Sequence, residues 1–459
     1  MQMERKLTAT SQRRSVPPSV PPVRQERSRL LFERGYADGY DHGVREGLRT
    51  FGAGLEGTSI IIPTYNRKAL LLECLDSIEA HTSLPYEIIV VDNGSEDGTA
   101  EEVRRRRGRI RLTVHPRNLG FARAINSGLM MAKGHTIVLL NNDVLVTERW
   151  LDQLLNCLRG FPDAAAAGPV TNYISGEQLI DVPYENVAEM PAFAAAHNAA
   201  DPRKWRMTDR LVGFCVAFPR STFEQIGYFD EGYEIGNYED DDWVARLRLQ
   251  GKRMVIAGDT FVHHYGSMTM KGLGQQGFTD VNARNHDFFR EKWGELQGLY
   301  PRSAGWRTGG ALRSADFFPT HVLVKGWSST VYWLEQGIRH PVSPDAGQAG
   351  SDTGATGFPL PATRLSVLDL LQLPQGPVRS QGGLPVRPGS GLTDGAVVRG
   401  SDGRLYQIDR GLRREIVSEY ALGTWGLAAS EEAVPEGVLS AYPEGLPILP
   451  PPRLLNDDL

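Results

Sequence analysis

From Ser59 onward the chain alternates short apolar runs with stretches in which apolar residues return every three or four positions. "SIIIP" reads as a strand, and "RKALLLECLDSIEAH" then sets Leu71, Cys74, Leu75 and Ile78 on one helical face. "EIIVVD" is a second strand, "GTAEEVRRRR" a short helix, "RIRLTVH" a third strand and "GFARAINSGLMMAKG" another helix. In "HTIVLLNNDVLV", Ile137 to Leu140 is a run that suits a strand buried on both faces. "ERWLDQLLNCL" follows with Leu151, Leu154, Leu155 and Leu158 at helical spacing. Repeated β-α units of this length predict an α/β fold built on a mostly parallel sheet with right-handed crossovers and flanking helices.

The pattern changes after about Tyr300. "LVKGWSSTVYWLEQGIRHPV" and "VVRGSDGRLYQIDRGLRREI" are two copies of one unit, with Gly326, Tyr332, Gly337 and Arg339 matching Gly400, Tyr406, Gly411 and Arg413 at an offset of 74. Each copy alternates apolar and polar residues between turn signals, which predicts a three-stranded meander over about 320–343 and again over about 394–418. "SPDAGQAGSDTGATG" and "PQGPVRSQGGLPVRPGSG" read as loops around the second copy. At the other end, residues 1–27 are polar and proline-rich and read as a disordered tail. Gly35, Gly39, Gly43 and Gly47 follow, in step with Tyr36, Tyr40, Val44 and Leu48, which fits a helix with a small-residue stripe. The expected division is 1–57 as tail and helical extension, 58–300 as the α/β domain and 301–459 as an all-β repeat region.

Composition narrows the classes. A net charge of -5 over 459 residues argues against a general nucleic-acid binder. No run of about 18 apolar residues occurs, so no transmembrane segment is expected, and the basic start lacks the apolar core of a secretory signal. Three widely spaced cysteines, Cys74, Cys157 and Cys215, fit reduced core thiols and a cytoplasmic location.

Polar residues of particular kinds collect at the carboxyl ends of the expected strands, where ligands bind in open α/β sheets. "PTYNR" (Pro63 to Arg67) follows the first strand, "DNGSEDGT" the second and "NNDV" the fourth. Asp92 can accept the imide N–H of a pyrimidine base, and Asp143 can ligate a divalent cation that bridges two phosphates. Asn141 to Asp143 also suit an Asx-turn, so the two readings stand side by side. No Walker A lysine or glycine-rich dinucleotide fingerprint is present in these segments. In "YEDDDW", a helix starting near Asp240 puts Asp240, Val244 and Leu247 on one face and Asp242 over Arg246. An acid on the apolar face is the candidate general base, with a pKa raised by burial and like charges, and Glu239 is the second choice.

Together "SIIIPTYNR", "EIIVVDNGSEDGT", "NLGFARAINSGLMMAKG", "VLLNNDV" and "GYFDEGYEIGNYEDDDWVARLRLQG" resemble glycosyltransferase family 2, over roughly Thr58 to Met270. The resemblance implies the GT-A nucleotide-sugar transferase fold and inverting transfer from a nucleotide-diphosphate sugar, with Mg²⁺ or Mn²⁺ as cofactor. By the same likeness Pro63, Thr64, Tyr65, Arg67, Asp92 and Asn93 hold the nucleoside, while Asn118, Gly120 and Phe121 approach the diphosphate and sugar. Asn141, Asn142 and Asp143 stand where the family has its Asp-x-Asp metal motif, with Asn141 in place of the first Asp. His263 is the first choice to complete the metal site, ahead of its neighbour His264, and Gly213 and Phe214 line the acceptor side. Asp230 is assigned to a turn.

The implied partners are a UDP- or dTDP-sugar donor and an acceptor that is a glycan, a lipid-linked glycan or a protein, with homo-oligomerisation left open. A nucleotidyltransferase is the rival within the same fold class, and a catalytically silent scaffold that binds glycan or protein through its repeats is the rival from another. "RRRRGR" (Arg104 to Arg109) is read as a solvated helix end. Trp327, Tyr332, Trp333 and Tyr406 are read either as core of the meanders or as sugar-stacking rings.

Overall fold

The computed structural model describes residues 54–459 apart from 107, 109, 267–273, 304, 307–310, 344–360, 385–391, 431–432 and 457–458. The tail and glycine-stepped segment of residues 1–53, the linker residues 344–360 and 385–391, and most of "MKGLGQQGF" lie outside that range. Strands β1 (Leu55–Thr64), β2 (Tyr86–Asp92), β3 (Ile110–Val114) and β4 (Gly134–Leu140) form in the expected places. They pair in parallel in the order β3-β2-β1-β4. The sheet continues through β5 (Val144–Leu145), β6 (Ala164–Thr171), β7 (Trp205–Thr208), β8 (Cys215–Pro219) and β9 (Arg253–His264). Here the directions mix, because β8 runs antiparallel to both β4 and β6, and β9 is parallel to β6. Register sets Thr64 level with Asp92 and Asp92 level with Val114, so the polar strand ends meet at one edge.

Alternation along each strand splits the core in two. Ile60, Ile62, Ile88 and Val90 face helix α1 (Lys68–His81), whose buried residues are the expected Leu71, Cys74, Leu75 and Ile78. Ile61, Ile89 and Val91 face the opposite way, toward α3 (Phe121–Met131). The short α2 (Thr99–Arg105) ends in the arginine run, where Arg104 and Arg105 pair with Glu101 and Glu102 and Arg106 with Asp76. Helix α4 (Trp150–Gly160) joins α1 on the first face, and α5 (Met190–His197), α6 (Arg220–Ile226) and α7 (Glu239–Leu249) cover the second. Cys74, Cys157 and Cys215 are buried free thiols, and burial pushes the pKa of each well up.

Two further helices, α8 (Gly274–Trp293) and α9 (Leu296–Ser303), lead to the repeats. Strands β10 (Val322–Lys325), β11 (Val331–Glu335) and β12 (Ile338–Ser343) make one antiparallel meander. After β13 (Thr363–Arg364) and β14 (Arg379–Ser380), the second meander is β15 (Val397–Gly400), β16 (Leu405–Asp409) and β17 (Leu412–Ile416). β18 (Ala433–Val434) pairs with β15 in parallel, as β13 does with β10. Each unit is closed by a returning segment that alternation does not signal: Arg339 N–H donates to Pro374 O and Gly376 N–H to Arg339 O, and Arg413 repeats both bonds with Pro443 and Gly445, all at 2.9 Å. Short helices α10 (Val367–Leu371), α11 (Glu419–Thr424) and α12 (Glu436–Leu439) also interrupt the β pattern. Trp333 is buried and Trp327 is 69% exposed, while Arg339 and Arg413 lie over the rings of Tyr332 and Tyr406.

One buried charge cluster ties these parts together. Lys292 Nζ donates to Asp230 Oδ2 and Asp242 Oδ1, both at 2.5 Å, with all three side chains fully buried. Asp242 also accepts from Trp293 Nε1 and from Arg246 Nε, the expected i,i+4 partner at 3.1 Å. Burial acts to raise the Asp242 carboxyl, but the Lys292 ammonium and Arg246 guanidinium outweigh it and hold the group below its usual range. Asp230 additionally accepts from Gly232 N–H, the turn assigned from sequence. Breaking a buried pair leaves an uncompensated charge, so Lys292→Met is expected to cost about 3–5 kcal/mol of folding stability, read by urea unfolding. A loss under about 1 kcal/mol would show that water reaches the cluster.

Candidate active site

A cleft of about 670 Å³ opens at the carboxyl ends of β1, β2 and β4, a volume within the usual range for small-ligand sites. Pro63, Thr64, Tyr65, Asn93, Asn118, Phe121, Asn141, Asn142, Asp143, Gly213, Phe214, Glu239 and Asp240 all line it. Arg67, Asp92, Gly120 and His263 stand outside the lining. Asp92 lies immediately behind, fully buried, with Oδ1 accepting from Ser95 N–H and Oδ2 without a partner. Arg67 precedes α1 as its N-cap residue.

Asn93 organises the loop before α3. Its Nδ2 donates to Asn118 Oδ1 at 2.8 Å and to Gly120 O at 3.1 Å, and its Oδ1 accepts from Leu119 N–H. His115 completes the set through Nδ1 toward Asn93 and Nε2 toward Ser127, and burial holds its pKa below the ordinary value. Gly120, at φ +94°, lets the chain turn into α3 with the helix N-terminus beside the cleft.

The segment Asn141 to Asp143 is both a turn and a polar site. Val144 N–H donates to Asn141 O at 3.3 Å, while Asn142 Nδ2 donates to Thr64 Oγ1 at 2.8 Å. Asp143 Oδ1 lies 3.2 Å from His264 Nε2. This corrects the choice of His263 over His264. Successive residues of a strand face opposite ways, and pairing of β5 with β9 sets His264 opposite Val144. His263 instead turns to Tyr184 Oη at 2.7 Å, and burial lowers its pKa.

His264 Nδ1 sits 2.7 Å from Tyr173 O. A carbonyl only accepts, so Nδ1 carries a proton, and in the neutral ring Nε2 is the nitrogen with the lone pair. Nε2 is buried and makes no hydrogen bond, with Asp143 Oδ1 3.2 Å away. A carboxylate and an imidazole lone pair side by side, with the other ring N–H on a backbone carbonyl, is the donor arrangement of a metal ligand pair. Among the described residues no group of three or more His, Cys, Asp and Glu side chains is placed to hold a metal. The pair therefore fits a hard divalent cation whose remaining ligands come from phosphate and water.

Opposite stands the acidic start of α7, where four consecutive carboxyls have four environments. Glu239 is buried with Oε2 unpartnered, and burial followed by the charge of Asp240 pushes its pKa well up. Asp240 is partly exposed to the cleft, accepts from Gly213 N–H at 3.0 Å and is raised to about 6 by burial and by Asp241. Asp241 is held by Arg210 through Nε at 2.6 Å and Nη2 at 3.1 Å, a bidentate pair. Asp242 belongs to the Lys292 cluster.

The turn leading into α7 is strained, with Ile235, Asn237 and Tyr238 at φ +58°, +77° and +73°. Left-handed non-glycine residues cost about 1–3 kcal/mol each and persist only where surroundings impose them. Sequence reasoning missed Arg210, Tyr173, Ser175, Ile235 to Tyr238 and Asn282 as cleft residues. "GNYEDDD" carried the one available signal, a glycine and an asparagine before the acids, since both tolerate positive φ.

The raised Asp240 pKa has a consequence for folding. Its ordinary value is 3.8 and its folded value about 6, so ionisation opposes the folded state: the stabilisation is complete below about pH 4 and is lost as the pH climbs through 6. Asp240→Asn is accordingly expected to be more stable than the parent at neutral pH, by about 1–3 kcal/mol, and equally stable near pH 4. Chemical unfolding at the two pH values checks this, and an equal or lower stability at neutral pH would contradict it.

Residues 59–227 match glycosyl transferase family 2. The chain is 28% identical over 227 residues to a chondroitin synthase of Pasteurella multocida (strain Pm70), covering 42% of this chain and 23% of that protein. It is 27% identical over 229 residues to a validoxylamine A glucosyltransferase of Streptomyces hygroscopicus subsp. limoneus, covering 44% of this chain and 50% of that one. It thus spans half or less of the length of these relatives. Among solved structures it is similar to GalNAc-T7 with UDP, GalNAc and Mn²⁺, at 16% identity and a TM-score of 0.40, over 56% of this chain and 53% of that one. The matched residues include β1, β2 and β4, whose carboxyl ends build the cleft, so the similarity to glycosyl transferase family 2 falls on the part of the sheet that carries it.

Proposed function

We propose that the cleft binds a UDP- or dTDP-sugar and transfers the sugar to an acceptor hydroxyl with inversion at the anomeric carbon. One observation carries this reading: a single cleft has the Asp143–His264 pair with its open lone pair and also Asp240 with a pKa of about 6. Asp92 Oδ2, buried and unpartnered behind Thr64 and Tyr65, is the acceptor for a pyrimidine imide N–H. The loop held by Asn93 brings Asn118 and the first turn of α3 to the diphosphate. Asp143 and His264 would hold Mn²⁺ or Mg²⁺, which when bound neutralises charge on the departing diphosphate.

Asp240 accepts the acceptor's proton as its oxygen attacks. Gly213 N–H and Arg210 draw the Asp240 pKa down against the effect of burial and Asp241, keeping it ionised at neutral pH. Burial and the charge of Asp240 push the pKa of the neighbouring Glu239 well up, which disfavours a second charge at the same place. The relatives' names, a chondroitin synthase and a validoxylamine A glucosyltransferase, support sugar transfer to a hydroxyl. The acceptor stays at the level of glycan, lipid-linked glycan or protein.

Calorimetry with UDP, dTDP, GDP and ADP, each with and without Mn²⁺, tests the donor site. UDP or dTDP is expected to bind, more weakly without the cation, and Asp143→Ala is expected to lose the cation dependence. If no nucleotide binds, the transferase reading fails and a silent scaffold takes its place. Asp240→Asn is expected to keep nucleotide binding and to lose transfer by about 10²–10⁴-fold. Because the base must be ionised, the parent's rate should rise with pH through about 6. A rate flat from pH 5 to 8 would remove Asp240 from the role.

A further inference from the structure

The strained turn before α7 is gripped from behind by one side chain. Asn285, on α8, is 1% exposed. Its Nδ2 lies 3.0 Å from Glu234 O, 2.9 Å from Gly236 O and 3.1 Å from Asn237 O, and its Oδ1 accepts from Glu234 N–H at 2.9 Å. Positive φ at Ile235, Asn237 and Tyr238 turns those carbonyls inward. Three converging carbonyl dipoles repel unless a donor sits among them, and an amide NH₂ supplies two protons to share. Without that donor, the β-branched Ile235 at φ +58° would have every reason to leave the left-handed region.

Both functional loops hang on this turn. Tyr238 is the N-cap residue of α7, so the turn sets where Glu239 and Asp240 begin. On the other side, Ile235 O accepts from Phe121 N–H at 2.7 Å, at the first residue of α3. Gly236 and Tyr238 line the cleft and Asn285 does not. We propose that Asn285 is a positioning residue of the transfer reaction: it touches no substrate, and it acts by holding the turn Glu234–Tyr238 in the conformation that presents Asp240. The inference rests on the transferase reading above.

The test compares the parent, Asn285→Ala and the double variant Ile235→Gly/Asn285→Ala. Turnover is read as UDP or dTDP released, with Mn²⁺, from UDP-glucose, UDP-N-acetylglucosamine or dTDP-rhamnose with water as acceptor. Affinity is read as the calorimetric Kd of the free nucleotide. Asn285→Ala is expected to lower kcat by about 100-fold, the scale of a misplaced catalytic group, with the nucleotide Kd within about twofold of the parent. Glycine at 235 adopts positive φ without a side-chain penalty, so the double variant is expected to regain part of the lost kcat. A merely structural role would lower affinity and rate together and would gain nothing from glycine.

An Asn285→Ala protein as fast as the parent overturns the inference, and so does a double variant no faster than the single one. A parent that releases no nucleotide overturns the transferase reading and this inference with it, which separates the two failures. If Asn285→Ala does not fold, Asn285→Ser, which keeps one hydroxyl donor, carries the same comparison.

Discussion

A buried ammonium has to be paired, and Lys292 is paired twice. Its place between Asp230 and Asp242 fixes three segments against one another: the turn after α6, helix α7 beside the cleft, and α8. Such a cluster gains little over well-packed apolar residues, because desolvation offsets much of its attraction. What it supplies is register. A one-turn slide of α8 would leave Asp230 buried without its Lys292 partner and Asp242 with Arg246 alone. With Lys292 fixed, Phe288 meets Tyr233, Asn285 meets the carbonyls of Glu234 to Asn237, and Asn282 reaches the cleft. Those residues lie along one face of α8, about three to four positions apart.

The same constraint explains how four adjacent acids coexist at the start of α7. A helix turns about 100° per residue, so neighbours face different surroundings. Asp242 points to the cluster, whose cations hold its pKa down, Asp241 points to Arg210, Glu239 is buried with its pKa pushed well up, and Asp240 faces the cleft. The helix dipole favours acids at an N-terminus and contributes to all four. It does not tell them apart. Partners from β-strand loops and from α8 do that, and Asp240 is raised to about 6 by burial and by Asp241.

Much of this was legible in the sequence because it is local. The strand–helix alternation, the buried face of α1 and the paired i,i+4 Asp242 and Arg246 all follow from periodicity within a dozen residues. The error at His263 and His264 has a different origin. Two adjacent histidines at a strand end are distinguished only by which face each presents, and that parity is set by pairing with β5, which the sequence does not show. Lys292, Asn285 and Arg210 were missed for a related reason: each acts on residues between 31 and 62 positions away. Nothing in their own neighbourhoods marks them.

The repeats obey the same logic of long-range partners. Their residues complete the core that carries α7, since Phe317 and Leu449 pack with Ala245, Leu249, Trp293 and Leu299. Ser418 Oγ donates to Lys292 O at 2.7 Å, one step along the backbone from the buried ammonium. Glu231, beside Asp230, accepts from Leu455 N–H and Asn456 N–H, and Leu454 and Leu459 share a cluster with Phe229 and Trp243. A buried carboxylate with three or more donors resists any shift of the segments that supply them. The scaffold beneath Asp240 is therefore built from the segments around α7 and α8 together with the repeat region, so a change in the repeat region reaches the cleft through Lys292 and Glu231 and has a defined route by which to alter it.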